Sequence, residues 1–137
     1  LDIFLDVYFF KKVNKPLLSI DTLTFAKDKQ RLEGVEYITI PDGNKELLNR
    51  ITEKNGSTNF FGVGYVYDVA KMLMDTYDKF YVKNGRIPTS EELSEALLTI
   101  QDYEGAIGKV SVGKDRSVQS KAVVKKIVNG VPVEIEN

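Results

Sequence analysis

The sequence predicts an α/β protein, and an incomplete one. Two observations carry this. Strand and helix patterns alternate near the start, after which three helices and a β-rich tail follow. Two or three strands with four helices also leave apolar faces that this chain cannot cover, so a further segment or a second copy has to meet them.

Residues 1–13 place Leu1, Phe4, Leu5, Tyr8, Phe9 and Val13 near helical spacing. Asn14-Lys15-Pro16 ends that helix, because proline disfavours helical geometry in the residue before it. Leu17 to Ile20 is a short apolar run consistent with a buried strand, and Asp21-Thr22 follows at its carboxyl end. Residues 22–32 are weakly patterned, with room for one or two helical turns. Val35 to Ile40 is β-rich and closes at Pro41-Asp42-Gly43.

From Asn44 the pattern turns helical, with Leu47, Leu48 and Ile51 on one face and a stop at Asn55-Gly56. Ser57 or Thr58 is placed to cap the next and longest helix. Its apolar stripe is Val63, Val66, Ala70, Leu73, Met74, Tyr77, Phe80 and Tyr81, with Asp68, Lys71, Asp75, Asp78 and Lys79 off it. That helix ends at Asn84-Gly85. Thr89 and Glu92 stand at capping-box spacing and open a helix that turns Leu93, Ala96, Leu97 and Ile100 inward. Lys109 to Val112 reads as a strand, Gly113 to Ser117 as a polar turn, and Ala122 to Val128 as another strand. Asn129-Gly130 is a strong hairpin signal. In the last strand Val131, Val133 and Ile135 alternate with polar residues and Pro132, which marks an edge.

Composition narrows the function classes. Lys and Arg number 19 against 20 Asp and Glu, so the basic excess of a nucleic-acid binder is missing. Without cysteine there is no disulfide framework and no thiolate metal site, and without histidine the usual general base and most zinc sites are gone. An enzyme is disfavoured, and no cofactor or metal is expected. LDIFLDVYFF is too short and too acidic for a signal-peptide core or a membrane span.

Asp21 is the leading ligand candidate. It follows an apolar strand at the end where open α/β sheets place ligands, and a carboxylate there pairs well with an ammonium group. The competing reading is a helix N-cap, which aspartate performs as readily. Phe60 and Phe61, ahead of Gly62 and Gly64, line either a cleft or the core; the glycines lack phosphate-loop spacing. The pairs Asp102/Glu104 and Glu91/Glu92 read as solvated surface or caps. Lys121, Lys125 and Lys126 read as strand-edge charges that discourage aggregation.

Three stretches, FFGVGYVYDVAKML, SEELSEALLTIQDYEGAIGKVSV and AVVKKIVNGVPVEIE, resemble the C-terminal portion of the Leu/Ile/Val-binding family of solute receptors. That family carries "GYDAV", "EELREAL", "YEGVTG" and "NGK-V" features in the same order. The upstream KPLLSIDTLT and LEGVEYITIPD resemble the segment before them. The resemblance implies a type I periplasmic-binding-protein fold: two three-layer lobes that close on a solute, of which this chain is a fragment. Residues 1–42 would belong to the second lobe and 43–105 to the first, with 106–137 returning through the hinge as a β-hairpin. It implies that Asp21 holds the α-ammonium of an amino acid or similar solute and that Phe60 helps line the cleft. Ser19-Ile20 departs from the Gly-Gly common before the acid.

The implied function is an extracytoplasmic receptor, periplasmic or extracellular, that hands its solute to the membrane permease of an ABC transporter without chemistry. The alternatives are the ligand-sensing domain of a signalling receptor and a non-binding module that self-associates as a homodimer.

Overall fold

The computed structural model describes residues 10–11, 18–20, 26, 28–56 and 60–135, with 18–20 described by backbone alone. The expected first helix therefore lies almost wholly outside the described residues. The chain divides into two compact units, one of residues 1–39 with 122–137 and one of residues 40–121.

In the first unit the strands β1 (Leu18–Ile20), β2 (Glu36–Thr39), β6 (Val123–Val128) and β7 (Val131–Ile135) lie in the order β1-β2-β6-β7. β1 pairs parallel with β2, from Leu18 opposite Glu36 to Ile20 opposite Ile38, and the other pairings are antiparallel. A 3-10 turn, Lys29–Leu32, precedes β2, capped by the Asp28 carboxylate accepting from the Gln30 amide. The β6–β7 turn is Asn129-Gly130, at φ 53° and 73°; glycine and asparagine are the residues that tolerate this geometry. β7 lies at an edge of the described sheet, as Pro132 predicts. Its burial runs against the alternation, however: Val131 and Val133 are exposed while Pro132 is half-buried.

The core of this unit is Ala26, Leu32, Tyr37 and Ile127, with Val35 packed against it. Period-2 alternation brings Tyr37 and Thr39 of β2 and Lys125 and Ile127 of β6 into the buried set. The reading of Lys125 as an edge charge is corrected here. β6 runs between β2 and β7, and Lys125 is 7% exposed, directly across from Tyr37. Its four-carbon stem suits an apolar surface, which a charge count along the sequence does not register. Lys126, next along the strand, instead meets its cross-strand partner Glu36 at 3.3 Å.

The second unit holds α1 (Lys45–Asn55), α2 (Val63–Asn84), α3 (Ser90–Leu97) and the antiparallel sheet β3-β4-β5, made of Tyr103–Gly105, Gly108–Val112 and Val118–Ser120. Local signals set the helix ends. Asn44 caps α1 by accepting from the Leu47 amide at 3.0 Å, and Gly56 closes it at φ 63°. Gly85 closes α2 at φ 66°. The Thr89–Glu92 capping box is fully formed, with the Glu92 amide donating to the Thr89 hydroxyl and the Thr89 amide donating to the Glu92 carboxylate. The start of α2 differs from expectation: it begins at Val63 behind Gly62, with no side-chain cap, so neither Ser57 nor Thr58 opens it.

Met72, Ile107 and Val110 form the core here, with Tyr65, Val69, Ile100, Tyr103 and Val118 packed against them. Burial of each such side chain contributes about 1.5–3 kcal/mol. The face of α2 that packs inward is a second correction. Gly64, Asp68, Met72 and Thr76 are its buried residues, whereas Val66, Leu73, Met74 and Tyr81, expected inside, are exposed.

Candidate functional site

Asp21 lies outside the described residues; the structure supplies the strand before it. β1 ends at Ile20 and pairs parallel with β2, so the sequence enters position 21 from the carboxyl end of a parallel pair. Phe60 is described. It is half-buried, and its carbonyl accepts from the Val63 amide at 3.0 Å in the turn that opens α2. Phe61 beside it is 38% exposed.

The turn carrying Phe60 is held by close backbone approach. The Gly64 amide donates to the Asp42 carbonyl at 2.8 Å. A Cβ at Gly64 would stand 2.5 Å from Ile107 Cγ2, 2.6 Å from the Asp42 carbonyl oxygen and 2.8 Å from Gly43 Cα, so only glycine fits. Gly64 therefore serves close packing. Gly62 serves differently, taking up φ 71° at the N-cap.

The residue that sequence reasoning missed is Asp68. It is 1% exposed, and its carboxylate accepts the Ala106 amide at 2.6 Å and the Ile107 amide at 2.9 Å. These are the two turn residues between β3 and β4, so one side chain on α2 fixes the β3–β4 hairpin. Gly105 must be glycine because a Cβ there would collide with the Asp68 carboxylate. The signal was available: Gly64, Asp68, Met72 and Thr76 recur every four residues, a face of small and polar groups rather than large apolar ones.

A second polar cluster joins α2 to β3. Asp75 Oδ2 accepts from Lys71 Nζ at 2.9 Å and from the Tyr103 hydroxyl at 2.6 Å, and Lys71 Nζ also donates to that hydroxyl at 3.0 Å. The hydrogen bond to Asp75 raises the Lys71 pKa, and the same bond lowers that of Asp75. Tyr103 is raised, first by burial and then by donating to Asp75. All three shifts hold the charges they have at neutral pH, so the cluster is a strut and not an acid–base pair.

An open groove of about 400 Å³ runs along α2 and α3, bordered by Thr76, Lys79, Phe80, Lys83, Ala96 and Ile100. Glu92 at its rim is engaged by Arg86, with contacts of 2.8 and 2.5 Å, and this pairing holds its carboxyl down at about 2. Phe60 is not among the residues that border the groove. Among the described residues no group of acidic side chains is placed to hold a metal ion, and no helix is long and apolar enough to cross a membrane.

No protein-family model and no curated protein sequence matches the chain. Solved structures do. A leucine-binding protein, LivK, from Thermotoga maritima MSB8 superimposes with a TM-score of 0.74 at 16% identity, covering 98% of this chain and 40% of that one. A provisionally assigned branched-chain amino acid ABC transporter from Rhodospirillum rubrum gives 0.68 at 18% identity, over 96% of this chain and 40% of that one. An extracellular ligand binding receptor from Desulfohalobium retbaense DSM5692 gives 0.70 at 18%, over 98% of this chain and 24% of that one. The chain thus spans less than half the length of each of these three structures. These superpositions show that the chain carries part of the type I periplasmic-binding-protein fold.

Proposed function

We propose that this chain is part of an extracytoplasmic solute-binding receptor that captures an amino acid or similar small solute by lobe closure and presents it to an ABC-transporter permease. One observation carries the reading. Nearly the whole chain, 98% of it, superimposes on a leucine-binding protein with a TM-score of 0.74. The absence of histidine and cysteine fits a non-catalytic role, in which the solute leaves as it arrived.

In this reading the two compact units are portions of two lobes. The chain leaves one unit after Thr39 and re-enters it at Ala122, and such paired crossings suit a hinge. Asp21 supplies a carboxylate to the solute ammonium, and Phe60 an apolar wall. A solute that contacts both lobes only when they close shifts the population towards the closed form.

The test is calorimetric titration of the protein, as its gene encodes it, with leucine, isoleucine, valine and glutamate, beside Asp21→Ala. Removing a carboxylate from a buried ammonium pair costs about 2–5 kcal/mol, so at least one amino acid should bind, and Asp21→Ala should weaken it by about 30-fold or more. The matching carboxylic acid without its amino group should bind both proteins alike. Failure of every solute to bind would refute the receptor reading. Tight binding unchanged by Asp21→Ala would leave the receptor standing and remove Asp21 from its site.

A further inference from the structure

Ile107 sits where three pieces of the structure meet. It is one of the two turn residues between β3 and β4, it is 5% exposed, and its amide donates to the buried Asp68 carboxylate at 2.9 Å. Asp68 also accepts from the Ala106 amide at 2.6 Å, so the turn has two fixed points on α2. From that turn the Cγ2 methyl of Ile107 reaches Gly64, where a Cβ would stand 2.5 Å from it. On its other side the same glycine meets Asp42 and Gly43, and its amide donates to the Asp42 carbonyl at 2.8 Å. Gly64 is therefore clamped between a methyl group and a stretch of backbone. Phe60 is tied to the clamped residue by a tight turn. The Val63 amide donates to the Phe60 carbonyl at 3.0 Å, and Gly62 takes φ 71° and ψ −2°, the geometry of the third position of a type II turn.

We infer that Ile107 is a positioning residue for Phe60, its Cγ2 methyl setting, through Gly64, how far the aromatic wall stands from the solute. The inference rests on the reading of Phe60 as part of that wall. Close-packed interiors transmit a displacement instead of absorbing it. At Gly64 no side chain is present to yield, so the Ile107 methyl bears on the backbone itself. An apolar wall sorts solutes by size, and room for one methylene changes relative affinity by about 10–200-fold. A displaced Phe60 therefore shows as an altered preference among aliphatic amino acids. Recognition of the ammonium group, which the proposed reading gives to Asp21, is left as it was.

Two conservative variants separate positioning from mere stability. Ile107→Leu keeps the side-chain volume but has no branch at Cβ, so the methyl against Gly64 is lost. Ile107→Val keeps that methyl and deletes only Cδ1. The gene-encoded protein and both variants are followed by hydrogen exchange and titrated calorimetrically with leucine, isoleucine and valine. In Ile107→Leu the Val63 and Gly64 amides should exchange about tenfold faster, beyond any change at the Leu93 amide of α3, and in Ile107→Val they should stay within about twofold of the parent. The ratio of leucine to valine affinity should shift by about fivefold or more in Ile107→Leu alone. Equal exchange in the two variants would overturn the inference. So would a loosened turn in a protein whose preference between leucine and valine does not move. If the parent binds none of the three, the exchange contrast alone decides whether Ile107 positions the Phe60 turn, and the receptor reading is judged separately by the wider titration above.

Discussion

Replacing Asp68 should disable one unit of the molecule while leaving its surface chemistry intact. The carboxylate accepts two buried amides, those of Ala106 and Ile107, at 2.6 and 2.9 Å. Asp68→Ala orphans both, at about 1–3 kcal/mol each. Against that stands the relief of no longer burying a carboxylate whose assigned partners are amide dipoles, so the net loss should fall near 2–4 kcal/mol. In Asp68→Asn one amide oxygen still accepts one N–H while the NH₂ group faces the other, so the loss should be about 1–3 kcal/mol. The chain has no tryptophan, so urea unfolding is followed by far-UV circular dichroism. With a slope of about 1.5 kcal/mol/M, Asp68→Ala should lower the midpoint by about 1.3–2.7 M, and Asp68→Asn by less. Hydrogen exchange gives the local readout: the amides of residues 106 and 107 should lose protection first. If both variants unfold within about 0.3 M of the parent, or if these two amides stay protected in Asp68→Ala, the carboxylate does not hold the hairpin.

Gly64→Ala drives a Cβ against Ile107 and the backbone at Asp42 and Gly43, and should cost about 1–3 kcal/mol in the same urea experiment. A methyl accepted without loss would show that the α2 entry turn can yield. Thr89→Ala removes the cap from the Glu92 amide and should destabilise by about 1 kcal/mol. The Arg86 pairing predicts a pH signature. Folding lowers the Glu92 carboxyl from its ordinary 4.5 to about 2, so its stabilisation is complete above about pH 4.5 and fades as pH falls towards 2. The stability gap between parent and Glu92→Gln, measured by thermal unfolding from pH 7 to 2, should therefore narrow through that window and close near pH 2. A gap that stays constant would refute the pairing.

What the sequence disclosed and what it withheld divide along the range of the interactions involved. Asn44, Gly56, Gly85, the Thr89–Glu92 box and the Asn129-Gly130 turn were all legible, because a cap or tight turn is decided by a few neighbouring residues. β3 and β5 were not seen; each is a three-residue strand, defined by pairing with β4 and not by its own pattern. Lys125 looked like a surface charge until β6 was placed between two strands. Of the site, Asp21 came from its place after an apolar strand together with the family resemblance, and Phe60 from the resemblance alone. The four-residue recurrence marked the face Asp68 lies on, but its partners could not be read, since they are amides thirty-eight and thirty-nine residues away.

The inverted reading of α2 follows from the same physics. Apolar periodicity reports where a helix meets a large hydrophobic surface; it carries no information on which segment supplies that surface. Val66, Leu73, Met74 and Tyr81 form the stronger stripe, yet they stand exposed, while among the described residues Gly64, Asp68, Met72 and Thr76, flanked by Tyr65 and Val69, make up the inward face. Small and polar residues suit the inner face, where the β3–β4 hairpin approaches closely enough to exclude a Cβ at Gly64 and at Gly105 and where two amides need an acceptor. Large apolar residues suit a broad sheet at ordinary helix-packing distance. The stronger stripe therefore lies away from the β3–β4 hairpin, and the helix's composition there records how closely that hairpin approaches.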